Sequence, residues 1–578
     1  MKKIVIVGGV AAGMSTAARL RRLDEQAEIV VLERDRYVSY ANCGLPYHIG
    51  GAIPDREQLL VVTPEHLQAT LALDVRTEQD VLSVDRAAQQ VAVRDLPSGN
   101  QYTLNYDVLV LAQGATPLRP PVPGIDHPKV FTLRNIPDMD AIIATLDAGA
   151  RRAVVIGGSY IGVEVTEGLR ERGLEVHLVE LQDQLMPLFD REMATDLRYH
   201  MEYHGVQLHL GTAATAIHEQ GDGLALELRD GTRISTDFVV LAAGVRPLTT
   251  LAQAAGLDLG PRGGIKVDAR MRTSDPKIYA AGDMVEVTDT VTGEPTLVAL
   301  AGPANRQGRI VADQITGRDA TYSSTQGSAI VKLFAMTAAA TGASERTLQR
   351  CGRAYRKVYL HPSGHAGYYP GSHSMHLKLL FAPTDGRILG AQIVGYDGVD
   401  KRIDVLATAL RAGMTVYDLE HLELAYAPPY SSAKDPVNMA GFMAANLLRG
   451  DLKLWHADEY EQQANDTIFV DVRSAEEYDE WHIPRALNFP LPELRERVDE
   501  LRRQAGDNPI RLYCMVGFRS YLAYRILHQH GFADVATLAG GALTFTSYYR
   551  TTLATGAPGI PFVAYAEEDL AAHAALDG

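Results

Sequence analysis

Cysteine is scarce in this chain of 578 residues, occurring only as Cys43, Cys351 and Cys514. Three widely spaced thiols cannot build a disulfide framework, and no CxxC pair offers zinc ligands. The sequence therefore predicts no metal site and a reducing compartment, the cytoplasm. Long apolar runs are also missing, since no stretch reaches the roughly 18 residues of a membrane span. The apolar run at residues 4–7 has the length of a strand, and the glycines and arginines after it argue against an export signal.

Positive charge is in the minority. Lys and Arg number 55 against 71 Asp and Glu, which leaves a net charge of -16. A phosphate backbone or an anionic membrane would be repelled by this average field, so neither nucleic acid nor a membrane is expected as a partner. The length predicts about three to five domains.

Two stretches, starting at residues 2 and 151, share one pattern: a β-branched strand, a glycine turn, a helical segment and a second strand that ends in an acid. A glycine turn at a helix N-terminus directs backbone N–H groups and the helix dipole at a pyrophosphate, and the acid can bond a ribose hydroxyl. The pattern predicts two dinucleotide sites, built on Gly8, Gly13 and Glu33 and on Gly157, Gly162 and Glu180.

Neither copy has the complete G-x-G-x-x-G motif, because Val10 and Ser159 stand at the middle glycine. A single copy of the pattern could also be a plain βαβ unit with a tight turn. Two copies, each with an acid at the end of its second strand, favour two dinucleotide-binding units. The acid Glu180 also predicts NADH over NADPH, because it would repel a 2′-phosphate.

The rest of the chain divides by composition. The segment KIYAAGD places Asp283 at a strand end, where it could bond a ribityl or ribose chain or serve as a turn acid. Residues 321–446 hold strands without nucleotide motifs and read as a packing or dimerisation domain. The polar run at 447–466 is typical of a linker, and an α/β unit follows it. The last stretch, AEEDLAAHAALDG, predicts a terminal helix or a frayed tail.

Four segments, SYANCGLPY, YAAGD, AGPANRQGR and LAYAPPYSSAKDPVN, together resemble the single-cysteine flavin disulfide reductases, most closely the coenzyme A disulfide reductases. The segments FVDVRSAEEYDEWHIPRALNFP and CMVGFRS resemble a rhodanese domain, although Trp481 stands where such domains carry glycine. The whole is similar to coenzyme A disulfide reductase–rhodanese fusions, some of which are NADH-dependent persulfide or polysulfide reductases.

The resemblance implies an α/β fold with two Rossmann-like domains, for FAD and NAD, then an α+β dimerisation domain and an α/β rhodanese domain. The expected ranges are 1–110 with 246–320 for FAD, 111–245 for NAD(P)H, 321–446 for dimerisation, 447–466 for a linker and 467–578 for the rhodanese domain.

Cys43 has no resolving cysteine nearby. A lone redox thiol can still cycle if the partner sulfur belongs to the substrate, through a mixed disulfide or a persulfide. Such a thiol must be a thiolate at neutral pH, which requires a positive local potential or a helix N-terminus. The alternative is a buried, inert thiol. By resemblance, Ser39 and Asn42 line the path of the thiol substrate.

The resemblance also implies that Tyr426, with Tyr368 or Tyr369, reaches the partner subunit's Cys43 across a dimer interface within 321–446. A phenol there could protonate a leaving thiolate, and an aromatic interface plug is the alternative. Four residues, Arg19 and Arg22 on one helix face and Asn305 and Arg306, are implied as coenzyme A contacts. A solvated charged face is the other interpretation of the arginines.

Cys514 opens the loop CMVGFRS between a predicted strand and a predicted helix. Curled backbone amides, the helix dipole and Arg519 would stabilise a thiolate or persulfide there. Asp471 and Arg473 are expected to brace the domain, and Cys351 is expected to have no role in the chemistry.

These features predict a homodimeric FAD enzyme that takes hydride from NADH and reduces a disulfide, persulfide or polysulfide of a small thiol such as coenzyme A through Cys43. Cys514 would carry sulfane sulfur. One alternative is an NADH oxidase or peroxidase that cycles Cys43 through sulfenic acid. Another is a sulfur-carrier module in which Cys514 is the working group.

Overall fold

A computed structural model describes residues 2–553 of the chain. The predicted terminal helix or tail at AEEDLAAHAALDG lies outside these residues. The chain folds into two compact units. The first contains Met1–Asp183 and Gly205–Gly327, and the second contains Gln184–His204 and the described residues from Ser328 onward.

Two five-stranded parallel sheets form the first unit. The strand order of the first sheet is Ile278–Ala280, Val108–Leu111, Lys3–Val7, Glu28–Leu32, Asp74–Arg76, and that of the second is Gln207–Leu210, Glu175–Glu180, Arg152–Ile156, Phe238–Leu241, Val130–Thr132. Their central strands, KIVIV and RAVVI, are β-branched and almost fully buried, as expected for parallel sheets covered by helices on both faces. The two predicted Rossmann-like domains are confirmed.

The first unit also contains helices and several small sheets, which are antiparallel or, in one case, mixed. The helices are Ala11–Leu23, Leu45–Gly50, Pro64–Leu71, Ile136–Asp147, Tyr160–Glu171, Thr250–Ala254 and Ala301–Ile315, with 3-10 turns at Asn42–Gly44 and Arg56–Leu59. The shorter strands are Gln79–Asp85, Gln90–Asp95, Gln101–Asn105, Ala115–Pro117, Ala214–Gln220, Gly223–Leu228, Arg233–Thr236, Val245–Pro247, Ile265–Lys266, Val285–Thr288 and Pro295–Thr296.

The second unit combines an antiparallel and a parallel sheet. The antiparallel sheet has the order Ala329–Leu333, Met336–Gly342, Ile388–Gly395, Met375–Phe381, Arg356–Leu360, and carries the helices Arg191–Tyr203, Glu345–Arg350, Val399–Arg411, Val416–Glu420 and Pro436–Arg449. The parallel sheet has the order Leu454–Trp455, Val535–Leu538, Ile510–Tyr513, Ile468–Asp471, Leu487–Asn488. Its helices are Tyr460–Gln463, Ala475–Glu480, Val498–Ala505, Phe518–Gln529 and Gly541–Leu553, with a 3-10 turn at Ala457–Glu459. The α+β domain and the final α/β domain are confirmed.

The linker prediction at 447–466 is wrong for most of its length. Leu454–Trp455 is a strand of the last sheet, paired with Val535–Leu538, and Trp455 is 1% exposed. Its indole N–H donates to the Leu512 carbonyl at 3.2 Å. The polar composition around it hid this aromatic anchor, and only residues 450–453 separate the helix Pro436–Arg449 from this strand.

A second difference concerns the range 111–245 predicted for the NAD(P)H domain. Residues 184–204 inside this range group with the second unit. Their acids make buried polar contacts there: Glu192 binds Lys378 at 2.5 Å, and Asp196 binds His376 at 2.9 Å. Within the described residues, no helix is both long and apolar enough to cross a membrane.

Candidate active sites

The two glycine turns have nearly the same geometry. Gly8 and Gly157 adopt φ angles of 108° and 115°, which favour glycine. A Cβ on Gly13 would collide with the Gly8 carbonyl oxygen, and one on Gly162 would collide with the Gly157 oxygen. Strand, turn and helix therefore pack as closely in both copies as a pyrophosphate site requires, even though Val10 and Ser159 replace the middle glycine.

The two acids are held alike as well. Glu33 accepts the Gly9 N–H at 2.6 Å and the Asp35 N–H at 2.9 Å. Glu180 accepts the Gly158 N–H at 2.6 Å and the Gln182 N–H at 2.8 Å. Each carboxylate thus lies beside its glycine turn and retains lone pairs for a ribose.

The arrangement fits two dinucleotides. Each turn packs too closely to admit a Cβ, and each acid accepts hydrogen bonds from backbone amides. Asp283 follows Gly282, whose N–H donates to the Gln307 side chain at 2.7 Å. Burial raises the pKa of the Asp283 carboxyl group. These residues would hold FAD at the first turn, with Asp283, and NADH at the second.

Cys43 lies on a short 3-10 turn, Asn42–Gly44, directly before the helix Leu45–Gly50. Pro46 lies in the first turn of that helix, where proline is favoured. The Asn42 side-chain oxygen accepts the Cys43 N–H at 3.0 Å and lies 3.7 Å from its sulfur. Ser39 has a left-handed φ of 49°, and its N–H donates to the Gly9 carbonyl at 2.9 Å. Ser39 therefore ties this loop to the first glycine turn.

The charged side chains that act on Cys43 do not supply the positive potential that a thiolate needs. The residue is exposed, yet the atoms packed around its sulfur raise the pKa of the thiol, and the charges of Glu164 and Asp283 raise it further. Cys43 therefore depends on other groups, or on the dipole of its helix, for its thiolate form.

Sequence reasoning did not identify Tyr47. Its hydroxyl donates to Glu164 at 3.1 Å, and burial raises the pKa of that carboxyl above its usual range. Gly50 and Gly168 let the two helices touch, since a Cβ on Gly50 would lie 2.8 Å from the Gly168 Cα. The helix after Cys43 is thus joined to the helix of the second nucleotide turn. The signal in the sequence that could have identified Tyr47 was its place as the last residue of SYANCGLPY.

The proposed coenzyme A contacts occupy the neighbouring helices Ala11–Leu23 and Ala301–Ile315. Arg19 donates twice to Asp313, at 3.0 and 2.9 Å, so its charge is compensated and the structure favours a bracing role. Arg22 and Arg306 are exposed. Asn305 accepts a hydrogen bond from Ser15 and donates to the Ala301 carbonyl at 2.8 Å. Arg22 and Arg306 remain predictions as phosphate ligands.

In the second unit, Tyr368 and Tyr426 form one pair. Their hydroxyl groups lie 3.0 Å apart, and the residues are 77% and 49% exposed. Tyr369 is exposed too, and its N–H donates to the Ala366 carbonyl at 2.9 Å. The buried Arg402 donates to Ser431 at 3.0 Å and to Asp435 at 3.1 Å, which anchors the segment after Tyr426. The described chain therefore presents two coupled phenols to solvent.

Cys514 follows the strand Ile510–Tyr513, and its side chain lies in a cup of backbone amides. The N–H groups of Gly517 and Ser520 point at the sulfur from 3.2 and 3.4 Å. Gly517 has a φ of 98°, which lets the loop curl back. The helix Phe518–Gln529 starts beside the sulfur, so its dipole favours an anion there.

Arg519 is paired with a residue that the sequence analysis did not single out. Both of its terminal nitrogens donate to Glu477, each at 2.6 Å. The hydrogen bonds from Arg519 hold the pKa of Glu477 at about 2. Glu477 also completes a capping box with Ser474, and the S-x-x-E spacing was the available signal.

The expected bracing residues of this domain are buried. Arg473 makes a two-pronged ion pair with Asp471, with contacts of 3.0 and 2.7 Å. Trp481, which replaces a glycine, is 4% exposed and lies edge-on to Tyr513, with ring centroids 6.3 Å apart. Its indole fills the core, so the loop packs without the glycine. Cys351 caps the helix Glu345–Arg350 and is partly buried, and its lack of a role stays a prediction.

A buried charge cluster was not anticipated either. Lys378 is fully buried and contacts Asp190 at 2.8 Å, Glu192 at 2.5 Å and Glu345. The three carboxylates raise the pKa of this lysine, against the opposing effect of burial. The ammonium group occupies the position that a cation would take among these acids.

Comparison with known families agrees with this geometry. The model of the pyridine nucleotide-disulphide oxidoreductases matches residues 2–308, that of their dimerisation domain matches 328–436, and that of rhodanese-like domains matches 455–547. Coenzyme A disulfide reductase from Staphylococcus haemolyticus is 34% identical over 449 residues, which cover 77% of this chain and 100% of the relative.

Two solved structures are similar over nearly the whole chain. Reduced CoADR-RHD from Bacillus anthracis has 45% identity and a TM-score of 0.92, covering 95% of this chain and 98% of the other. An NAD-dependent persulfide reductase from A. fulgidus has 39% identity and a TM-score of 0.88, covering 94% and 100%. The resemblance found in the sequence is confirmed. The chain belongs to the pyridine nucleotide-disulphide oxidoreductase family, in its coenzyme A disulfide reductase group, with a rhodanese domain fused after the dimerisation domain.

Proposed function

We propose that this protein is an FAD-dependent reductase that uses NADH to reduce a persulfide, polysulfide or disulfide of a small thiol, with coenzyme A as the thiol. The observation that carries the proposal is the position of Cys43. It lies between the first glycine turn, through Ser39, and the helix of the second turn, through Tyr47 and Glu164. A thiol held in this position fits a route in which electrons pass from NADH to FAD and from FAD to Cys43.

The chemistry at Cys43 needs no second protein thiol. With a coenzyme A persulfide, the Cys43 thiolate bonds to the thiol sulfur of the substrate and hydrosulfide leaves. The resulting mixed disulfide takes up two electrons and one proton, which releases coenzyme A thiol and restores the thiolate. When bound, FAD supplies those electrons after accepting hydride from NADH. The Asn42 side-chain oxygen accepts a hydrogen bond from the Cys43 S–H group and orients the sulfur.

The dimerisation domain supports an assembly in which two chains complete each site. In the proposal, Tyr426 of one subunit reaches the partner subunit's Cys43 and protonates the leaving thiolate. Tyr368 would hold the proton in place, because its hydroxyl lies 3.0 Å from that of Tyr426. Placement in the cytoplasm rests on the three unpaired cysteines.

Cys514 would carry sulfane sulfur. The amides of Gly517 and Ser520 hold a sulfur anion, which suits a persulfide between receipt and delivery. A disulfide substrate needs no such carrier, so the fused domain favours sulfane sulfur as the physiological substrate.

The test is anaerobic NADH oxidation by the FAD-loaded protein with coenzyme A disulfide, coenzyme A persulfide and polysulfide. Cys43→Ser should abolish turnover of all three, whereas Cys514→Ser should lower turnover of persulfide or polysulfide and keep disulfide turnover. Cys351→Ser is the matched control and should behave as wild type.

Two outcomes would contradict the proposal. NADH turnover by Cys43→Ser at the wild-type rate would exclude the electron route. Turnover by the wild type with oxygen or peroxide, but with none of the three sulfur substrates, would favour the oxidase or peroxidase alternative, in which Cys43 cycles through sulfenic acid.

A further inference from the structure

A buried polar network, the docking seam, joins the rhodanese domain to the rest of the second unit. Two histidines of the dimerisation domain, His361 and His376, contact the hydroxyl group of the rhodanese residue Thr544 at 2.9 and 3.2 Å. One carboxylate oxygen of Asp196 contacts His376 Nδ1 at 2.9 Å, and the other accepts the Ser547 hydroxyl at 2.9 Å. These five residues form the docking seam, and they place two polar side chains of the rhodanese domain against three of the other side.

The hydrogen bonds of the docking seam have a consistent direction. Because His376 Nδ1 faces the Asp196 carboxylate, this nitrogen carries the proton of a neutral ring and Nε2 is an acceptor. The Thr544 hydroxyl therefore donates to His376, and its oxygen accepts the Nε2–H group of His361. A single hydroxyl group thus serves two imidazoles, and an apolar side chain at position 544 would remove this partner from both.

The helix Gly541–Leu553 that carries the threonine also holds the Cys514 loop. The Ala542 N–H donates to the Cys514 carbonyl at 2.8 Å, and the Leu543 N–H donates to the Met515 carbonyl at 3.1 Å. A Cβ on the first residue of the helix would lie 2.5 Å from both of these carbonyl oxygens, so the helix start and the loop are in direct contact. The peptide planes after residues 514 and 515 therefore follow the position of the first helical turn, in which the threonine of the docking seam lies.

These peptide planes lead directly into the groups that face the sulfur. The amides of Gly517 and Ser520 point at the Cys514 sulfur from 3.2 and 3.4 Å, and the Arg519 side chain interacts with the same sulfur. Hydrogen bonds weaken steeply as their angle departs from linearity. A loop that rotates with the helix start would therefore lose part of the stabilisation that aligned amides give to a sulfur anion.

We infer that the docking seam positions the Cys514 site. His361 and His376 hold the first helical turn through Thr544, and this turn holds the loop whose amides face the sulfur. The two histidines are positioning residues, because they act through the helix. The inference rests on the proposed role of Cys514 as a sulfur carrier, and it makes the docked rhodanese domain a better sulfur acceptor than an undocked one.

The experiment uses the full-length, FAD-loaded protein and measures the rate of Cys514 alkylation by iodoacetamide against pH, with the modified peptide identified by mass spectrometry. Thr544→Val removes the hydroxyl group and keeps the shape of the side chain. The midpoint of the pH profile should move to higher pH by about one unit, and sulfur loading from coenzyme A persulfide at pH 7 should slow about tenfold, which corresponds to one hydrogen bond to a charged group. Thr544→Ser restores the hydroxyl group and should restore both values.

His361→Ala tests the docking seam from the other domain. It leaves the rhodanese sequence intact, and it should move the pH profile of Cys514 alkylation in the same direction as Thr544→Val. The matched control is Thr546→Val, because the Thr546 hydroxyl donates to the Leu543 carbonyl of its own helix at 2.9 Å. This control should keep the wild-type profile.

The inference is overturned if Thr544→Val or His361→Ala keeps the wild-type profile, or if Thr546→Val shifts the profile as much as Thr544→Val does. A shift that Thr544→Ser does not reverse would overturn it as well. If the wild type gains no sulfur from coenzyme A persulfide, the carrier role in the proposed function is wrong, and the alkylation profiles still decide the positioning role.

Discussion

Replacing Lys378 with methionine tests the buried charge cluster of the second unit. Methionine keeps the unbranched shape and most of the length of the side chain, and it removes the charge that Asp190, Glu192 and Glu345 share. Lys357 still lies 3.1 Å from Glu345, so the other two acids lose their cation. Removing one partner of a buried ion pair costs about 3–5 kcal/mol. The folded fraction of this unit should fall by a factor of about 10²–10⁴ relative to the unfolded state.

The assay is urea unfolding followed by tryptophan fluorescence. The chain has two tryptophans, Trp455 and Trp481, and both are buried in the last domain of the second unit. Their emission therefore reports on this unit. Arg387→Met is the matched control, because the Arg387–Asp385 pair has a similar length, 2.8 Å, but its arginine is 57% exposed. An exposed pair contributes about 0–1 kcal/mol, so this variant should unfold almost as the wild type does.

The pH dependence of stability gives a second measurement, because the wild-type protein and the Lys378→Met variant should respond to a fall in pH in opposite directions. In the wild type, Lys378 and Lys357 hold the pKa of Glu345 below its usual range although burial opposes them. The stability that Glu345 contributes is present above the pKa of the unfolded state, and it is lost as the pH falls through the lower pKa of the folded state. In the variant, Asp190 and Glu192 lose the lysine that opposes the effect of burial, so the pKa values of these carboxyl groups rise and stability should increase as the pH falls from 7 to 5. Unfolding within about 1 kcal/mol of the wild type, with an unchanged pH slope, would refute the reasoning.

Three further changes address the Cys43 side. Gly13→Ala should abolish FAD retention, because the added Cβ would collide with the backbone of the first turn. Flavin absorbance after desalting measures the FAD that is retained. Gly302→Ala, on an open helix surface, is the control. Gly162→Ala should keep FAD but slow flavin reduction by NADH at least tenfold in stopped flow, and normal reduction would contradict the assignment of the second turn. Glu164→Gln should speed alkylation of Cys43 by iodoacetamide at pH 7, because the change removes a charge that raises the pKa of the thiol. An unchanged alkylation rate would show that this charge does not act on Cys43.

The architecture and the two glycine turns followed from local patterns. A β-branched run buried on both faces, a turn that excludes Cβ and a terminal acid each depend on a few neighbouring residues, so spacing alone revealed both nucleotide units. The same holds for the Cys514 loop, where Gly517 and the start of a helix are adjacent in the chain. The linker prediction failed because a single buried tryptophan, Trp455, outweighs the polar residues around it.

What the sequence by itself determined was the set of domains and the two reactive thiols, because strands, glycine turns and helix starts are properties of contiguous residues. Only the tertiary structure decided which charges are free to act. Arg19 is paired with Asp313 and Arg519 with Glu477. Lys378 contacts acids from two segments that are distant from it in the sequence, Asp190 with Glu192 and Glu345. Electrostatic pairing depends on distances of a few Å between residues that are far apart in the chain. These distances cannot be derived from the composition of the chain.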